Sequence, residues 1–270
     1  YHREEFIYKK RDNGLLERIT TRKRPGTVGI CAAVMNRFKV DAVPHLICGG
    51  FSKEETENAL IDLDYLGIDN VLVLRGDAMK SEGRFIPDPL GHKFASELLC
   101  QVVDINRGKY LDDELSSGNA NATEFCIGVA GYPEKHFEAP NFEKDLYYLK
   151  KKVDAGAEYI VTQMFFNNSK YFEFVDRCRA MGIDVPIIPG LKPLTTKKQL
   201  TVLPSIFHID LPEDLVDAVE KCKDNKEVMQ VGIEWGIQQS KELIKFGVPV
   251  LHYYSMSKSK AVMNIARDLF

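Results

Sequence analysis

What the 270-residue sequence lacks already excludes several classes of protein. No apolar stretch approaches the roughly 20 residues that a membrane-spanning helix needs, and no secretory signal pattern opens the chain. The net charge is only −3, from 36 basic and 39 acidic residues, so charge gives no reason to expect nucleic acid or an acidic membrane as a partner. We therefore expect a cytoplasmic protein that binds neither nucleic acid nor membranes.

Two missing motifs narrow the class further. The six cysteines are scattered without a CxxC pair and most lie in apolar stretches, which favours buried free thiols in a reduced compartment and no metal site. No GxGxxG motif follows any candidate strand, which argues against a dinucleotide-binding Rossmann sheet. With 44% hydrophobic residues, the chain has ample apolar surface for one large core or two small ones.

One junction recurs along the chain, a glycine between an amphipathic helix and an apolar strand. Gly67, Gly156, Gly182 and Gly247 all fit the left-handed position that ends a helix. The predicted strands are short and almost continuously apolar, at residues 40–48, 70–74, 125–130, 159–162, 185–188 and 248–253. Runs without alternation indicate burial on both faces, so we predict a parallel sheet covered by helices.

The residues that follow these strands favour a closed barrel over an open sheet. Polar and charged groups follow nearly every strand, and a barrel uses its whole ring of loops whereas an open sheet concentrates its ligand at one switch point. We therefore predict an α/β fold of the (β/α)₈ TIM type. Only six strands are found where that barrel has eight, and residues 1–38 show no convincing buried strand. Either the chain starts part-way through the barrel or the fold is a reduced one.

The stretch DNVLVLRGDAM, residues 69–79, ends a fully apolar strand on a cation and an anion. A carboxylate at the mouth of a buried strand can be held ionised by a neighbouring cation, which would suit Asp77 beside Arg75 in a binding pocket. The alternative is a surface ion pair that caps the strand. An Arg-Gly-Asp adhesion loop is excluded because such a loop protrudes from a secreted protein.

Six short motifs occur in one order that identifies a family. They are Pro44-His45-Leu46, Leu74-Arg75-Gly76-Asp77, Tyr132-Pro133-Glu134-Lys135-His136, Lys152-Val153-Asp154-Ala155-Gly156-Ala157, Thr162-Gln163-Met164-Phe165-Phe166 and Ile187-Ile188-Pro189-Gly190. The ordered set resembles the catalytic barrel of methylenetetrahydrofolate reductase, a flavoprotein of one-carbon metabolism, over roughly residues 40–265. The resemblance implies a single catalytic barrel domain over residues 1–270, similar to the short bacterial form, and we expect a homo-oligomer.

The resemblance also implies the chemistry. NADH or NADPH would reduce bound FAD, leave, and be replaced at the same flavin face by 5,10-methylenetetrahydrofolate, which is reduced to 5-methyltetrahydrofolate. The flavin would carry the hydride while the protein supplies orientation and electrostatics. Two alternatives remain open: a related FAD barrel that oxidises an amino acid such as proline, and a non-catalytic regulatory barrel.

Site residues carry over position by position. The cofactor-binding positions are Tyr1, His45, Leu74, Arg75, Gly76, Asp77, Phe94, Ala95, Tyr132, His136, Asp145, Tyr148, Lys151 and Lys152. The substrate-binding positions are Asp77, Gln163, Gln199 and Lys258, and Asp77 is also the expected catalytic residue. No metal ligand is implied.

Several of these residues also have an ordinary structural interpretation. His45 alone would be read as a core histidine, and Gln163 as a strand-end amide bonded to backbone. Asp145 and Lys152 are seven residues apart, which puts them on one helix face, and such a pair is more often a solvated charged face.

Three departures from the family pattern concern hydrogen-bonding groups. Lys151 and Lys258 stand where arginine is typical, which loses bidentate geometry, and Phe94 stands where tyrosine is typical, which loses a hydroxyl. The family's proton-donating glutamate lies on an F-E-F-F-P-like first strand that this sequence does not contain, and Tyr1 resembles the residue that ends the second strand. The resemblance therefore implies that the first strand and most of the second are missing from this sequence, and we expect the native chain to continue upstream.

Overall fold

The computed structural model describes residues 4–10, 16–23, 26–77, 84–112, 121–256 and 258–270, the first two ranges by their backbone alone. Strands and helices alternate along most of this length. The strands are β1 (Glu4–Lys10), β2 (Leu16–Lys23), β3 (His45–Ile47), β4 (Asn70–Leu74), β5 (Cys126–Gly131), β6 (Tyr159–Met164), β7 (Ile187–Leu191) and β8 (His252–Tyr253). The helices are α1 (Thr27–Phe38), α2 (Lys53–Tyr65), α3 (Ala95–Ile105), α4 (Phe142–Asp154), α5 (Asn168–Ala180), α6 (Gln199–Phe207), α7 (Glu213–Glu220), α8 (Asn225–Phe246) and α9 (Ser259–Leu269).

The first two strands form a sheet of their own. β1 and β2 pair antiparallel, with a register shift between Glu5 and Phe6. Sequence reasoning found no strand here, because it looked for the continuous apolar runs of a parallel sheet. Tyr1 lies outside the described residues, and the missing first strand of the barrel stays a prediction.

The remaining strands are hydrogen-bonded in the order β3-β4-β5-β6-β7-β8. The pairs β3–β4, β6–β7 and β7–β8 are parallel. Strands that neighbour their successors, with a helical crossover after most of them, make a parallel α/β protein and are consistent with a TIM-type barrel. The predicted α/β class is thus confirmed.

Strand bounds follow burial more closely than composition. β4 has the predicted bounds, because Val71, Leu72 and Val73 are all buried. The strand predicted from residue 40 begins only at His45, since Val40 and Val43 are 53% and 43% exposed. A run of apolar residues therefore overstates β3, and the prediction of its first half was wrong.

The chain groups into two compact units, residues 1–128 and 129–270, with the boundary inside β5. In unit 1 the core holds fully buried Leu60 and Leu63 of α2 with Leu98 and Leu99 of α3. α2 begins with a capping box formed by Ser52 and Glu55: the Glu55 amide donates to Ser52 Oγ at 3.1 Å and the Ser52 amide to Glu55 Oε2 at 2.8 Å. The prediction of one barrel domain over the whole chain stays a prediction.

The core of unit 2 lies between β6 and the helices that follow β7. Met164 and Phe166 pack there with Leu194, Leu215 and other buried residues. Trp235, the single tryptophan of the sequence, packs against this cluster from α8, and its Nε1 donates to the Phe166 carbonyl at 3.2 Å.

Two negative findings complete the picture of the described residues. None of their helices is long and apolar enough to cross a membrane. The six cysteines are free thiols, and burial raises the pKa of Cys48 and of Cys178 to about 12.

Candidate active site

The turn after β4 explains the Arg-Gly-Asp motif in backbone terms. Gly76 has φ +86°, which a residue with a Cβ rarely adopts, and a Cβ there would lie 3.3 Å from Cβ of Ile47. The guanidinium of Arg75 lies 5.0 Å from the centre of the Phe85 ring, a cation–π contact. Asp77 is exposed at the end of a strand whose centre is buried. The motif therefore presents one stacked cation and one accessible carboxylate at a strand end.

The other predicted residues of unit 1 lie near the ends of strands and helices. His45 opens β3 and is half-buried, and Leu74 pairs with Ile47 in the parallel register. Phe94 is 48% exposed and precedes Ala95, the first residue of α3.

In unit 2, the loop from β5 to α4 gathers three predicted residues. The Tyr132 and His136 rings meet edge to face with centroids 4.7 Å apart. The His136 amide donates to Asp145 Oδ2 at 2.8 Å, which ties the loop to the first turn of α4. His136 Nδ1 accepts from the Glu138 amide at 3.2 Å, so in the neutral ring the proton is on Nε2, which becomes a donor.

Three consecutive lysines near the end of α4 differ in their surroundings. Lys152 Nζ donates to the Ala130 carbonyl of β5 at 2.8 Å. Burial lowers the pKa of Lys152 to about 8, and the charge of Asp145 opposes that shift. Lys151 is exposed, with its ammonium 4.9 Å from the Tyr147 ring centre, and Lys150 forms an ion pair with Asp154.

The structure therefore places the predicted cofactor-binding residues of the β5–α4 loop and of α4 in two separate groups. Tyr132, His136, Asp145 and Lys152 come together at the carboxyl end of β5. Tyr148, 54% exposed, and Lys151 lie on the outer surface of α4.

Gln163 lies at an irregular point of β6. The register with β7 shifts between Val161 and Met164, and such a bulge re-aims the side chains beside it. Gln163 Oε1 accepts from the Met164 amide at 2.9 Å, which leaves the NH₂ group of the side chain as a donor.

β6 and β7 lie close together next to this bulge, and hydrogen bonds join them. The Gly190 amide of β7 donates to Thr162 Oγ1 at 2.9 Å, and the Tyr254 hydroxyl to the Thr162 carbonyl at 2.8 Å. A Cβ on Gly190 would lie 2.2 Å from that same carbonyl oxygen. The backbones of β6 and β7 therefore lie closer together at Gly190 than a residue with a side chain would allow.

A pocket of about 260 Å³ in unit 2 contains two of the predicted substrate residues, Gln199 and Lys258. Gln199 Oε1 accepts from the amides of Thr195 at 2.7 Å and Thr196 at 3.0 Å, so its NH₂ group remains as a donor. The other lining residues are Lys192, Pro193, Thr195, Thr196, Val202, Leu203, Ile206, Phe207, Tyr254, Ser255 and Met256. Sequence reasoning missed Lys192, for which the only signal was a lysine directly after a buried strand.

A second cavity, of about 360 Å³, lies in unit 1 between α2 and α3. His92 is 5% exposed there, and its Nε2 lies 2.5 Å from Gln101 Oε1, while Gln101 Nε2 donates to the Lys53 carbonyl at 2.9 Å. These polar groups satisfy one another, and nothing in the sequence had singled them out.

Comparisons with known proteins agree with one another on a family. The family model of methylenetetrahydrofolate reductase matches residues 18–269. Methylenetetrahydrofolate reductase (NADH) 1 of Zea mays is 33% identical over 253 residues, which cover 90% of this chain and 40% of that protein. The chain thus spans about 40% of the length of this plant relative. The 5,10-methylenetetrahydrofolate reductase of Pectobacterium carotovorum is 30% identical over 92% of this chain and 76% of its own length.

A comparison with solved structures supports the fold. An uncharacterised protein from Clostridium thermocellum that binds two copies of 5-methyl-5,6,7,8-tetrahydrofolic acid matches with a TM-score of 0.52 at 15% identity. The match covers 87% of this chain and 76% of that one. Because the family model spans nearly the whole sequence, the chain belongs to the methylenetetrahydrofolate reductase family.

Proposed function

We propose that this chain reduces 5,10-methylenetetrahydrofolate to 5-methyltetrahydrofolate, with FAD as cofactor and NADH or NADPH as the hydride donor. The match of the family model over residues 18–269 carries the proposal. When bound, FAD supplies the hydride transfer, and the side chains of this chain bind, orient and stabilise charge.

The residues at the carboxyl end of β5 suit a flavin nucleotide. Lys152 is a partly buried cation, and burial lowers its pKa. A phosphate beside its ammonium group would therefore offset the free-energy cost of burying the charge. His136 offers an Nε2–H donor, and Tyr132 offers a ring against which an aromatic system can pack. We infer that these three side chains hold the cofactor.

The substrate would be held by amide donors and by charge. The NH₂ group of Gln163 lies beside the bulge of β6, where it can donate a hydrogen bond to an acceptor atom of the pterin ring. Asp77 would stabilise the positive charge that develops on the folate before hydride reaches it, because an exposed carboxylate at a strand end needs little rearrangement to do so.

The test uses the purified protein and its visible spectrum. Bound flavin gives an absorbance band at about 450 nm that bleaches when NADH or NADPH is added without oxygen. Adding 5,10-methylenetetrahydrofolate should then restore the band. Restoration by a proline-derived imine and not by folate would favour the related FAD barrel that oxidises an amino acid such as proline. A protein that binds no flavin would contradict both functions.

A further inference from the structure

Lys192 is a buried cation in the wall of the pocket shared by Gln199 and Lys258. It follows β7 directly, is 9% exposed, and its Nζ donates to the Tyr254 carbonyl at 3.2 Å. Lysine is seldom buried unless it is paired with an anion. No acidic residue lines this pocket in the described part of the chain.

Lys258 adds a second positive charge to the same pocket. Burial lowers the pKa of Lys192, and the charge of Lys258 lowers it further. Two cations that share a pocket without a carboxylate repel each other, and an anion bound between them would remove that repulsion. The charges that line the pocket therefore match a ligand that brings two negative groups.

The rest of the lining indicates what the anion is attached to. Val202, Leu203, Ile206 and Phe207 form an apolar wall along α6, while the NH₂ group of Gln199 is a donor at its start. A ligand that fits has an apolar or aromatic body with a hydrogen-bond acceptor, and it ends in two negative charges.

We propose that Lys192 binds a carboxylate of the glutamate tail of the folate, with Lys258 binding the other. The proposal rests on the proposed function, and it extends the substrate-binding set to a residue that the family resemblance did not supply. Lysine acts as a point charge without the bidentate fork of arginine, so two lysines suit two separate carboxylates. Lys192 would thereby determine a preference for folates that carry the tail.

Phosphates of the nicotinamide nucleotide share this chemistry, so the experiment separates the two sources. Binding of 5-methyltetrahydrofolate and of 5-methyltetrahydropteroate, which lacks the glutamate, is measured by calorimetry on the FAD-loaded protein. The KM for NADH and for NADPH in flavin reduction is measured in parallel. The variants are Lys192→Met, Lys192→Gln, which keeps a donor for the Tyr254 carbonyl, and Lys198→Met as the control for loss of a nearby exposed charge.

The wild-type protein should bind the glutamate form more tightly than the pteroate form. Both Lys192 variants should lose about tenfold of that preference, with pteroate binding and both nucleotide KM values unchanged, because one charge-assisted bond is removed. Lys198→Met should behave as wild type. The Gln variant keeps the test decisive if the Met variant has a lowered melting temperature.

Four results would overturn the proposal. Equal weakening of both folates would make Lys192 a structural residue, and a raised KM for NADH or NADPH alone would assign the pocket to phosphate. A preference for the tail that survives in both Lys192 variants would refute this proposal while leaving the proposed function intact. A wild-type protein that binds neither folate would refute the proposed function as well.

Discussion

Lys150, Lys151 and Lys152 are adjacent in sequence, yet only Lys152 reaches the backbone of β5. Consecutive helical residues point about 100° apart, so composition could predict a basic patch on α4 without telling which lysine faces inward. The charge spacing of Asp145 and Lys152 did predict a shared face, and the two charges do interact. Which of the three lysines faces the sheet depends on how α4 packs, and the sequence alone does not show that packing.

Removal of the Lys152 charge should weaken cofactor retention. We expect Lys152→Met to raise the dissociation constant of FAD about tenfold, because a charge-assisted contact to phosphate is lost. Lys150→Met is the matched control, since Lys150 pairs with Asp154 on the same helix. Flavin fluorescence on titration measures both. Equal affinities for FAD in the two variants would show that Lys152 only anchors α4.

The pKa of Lys152 also predicts how the FAD-free protein responds to pH. Its folded pKa is about 8 against 10.5 for an ordinary lysine, so between these values the unfolded chain binds more protons than the folded one. The contribution of Lys152 to the free energy of unfolding therefore rises with pH in that window and is flat below it. Urea denaturation of wild type and Lys152→Met on both sides of pH 8 should show this rise in the wild type only. A parallel pH dependence in the two proteins would contradict the shift.

The variant Asp77→Asn tests whether Asp77 acts in the active site or only caps β4. Because Asp77 is exposed, its loss of charge should change the free energy of unfolding by only about 0.5 kcal/mol. The flavin midpoint potential should rise, since a nearby anion disfavours the anionic reduced ring. The rate at which folate reoxidises the reduced protein should fall roughly 10²-fold. An unaltered potential and rate would leave Asp77 as a cap for β4.

At the scale of elements, burial on both faces made some strands predictable and others not. β4 was predicted residue for residue because all three central positions are buried. β1 and β2 were missed because they pair only with each other, in a separate antiparallel sheet. Functional polar groups were predicted at the strand ends of the sheet, since a parallel sheet directs all its carboxyl ends one way, and this stays a prediction. Lys192 was missed because its burial depends on Tyr254, 62 residues away.

The close approach at β7 should be sensitive to a single methyl group. Gly190→Ala would place its Cβ about 2.2 Å from the Thr162 carbonyl and against Tyr254, so we expect a loss of about 3 kcal/mol or more. Gly67→Ala is the control: its φ of +67° is strained, but nothing lies within 4 Å of the added methyl, so about 1 kcal/mol should be lost. Chemical denaturation measures both. Equal losses would mean that the two strands can move apart at no cost.

At the scale of the whole molecule, the residues named for the cofactor and the substrate come from both compact units. Unit 1 contributes the turn of Arg75, Gly76 and Asp77, and unit 2 contributes the loop of Tyr132 and His136 and the pocket of Lys192 and Lys258. A ligand raises the unfolding temperature of the unit that binds it, so FAD held by Tyr132, His136 and Lys152 should raise the unfolding temperature of unit 2. Calorimetry with and without FAD measures this shift, and an unchanged unfolding temperature of unit 2 would contradict the assignment of these three residues to the cofactor.

The position of Trp235 allows the unfolding of unit 2 to be followed by intrinsic fluorescence. Its indole is the single one in the chain and is bonded to the Phe166 carbonyl in the core of unit 2, so ultraviolet emission follows the unfolding of residues 129–270 alone. Circular dichroism, by contrast, sums the helices of both units. Midpoints that coincide by the two methods would show one cooperative transition, whereas an earlier dichroism change would show residues 1–128 melting first, before any fluorescence is lost.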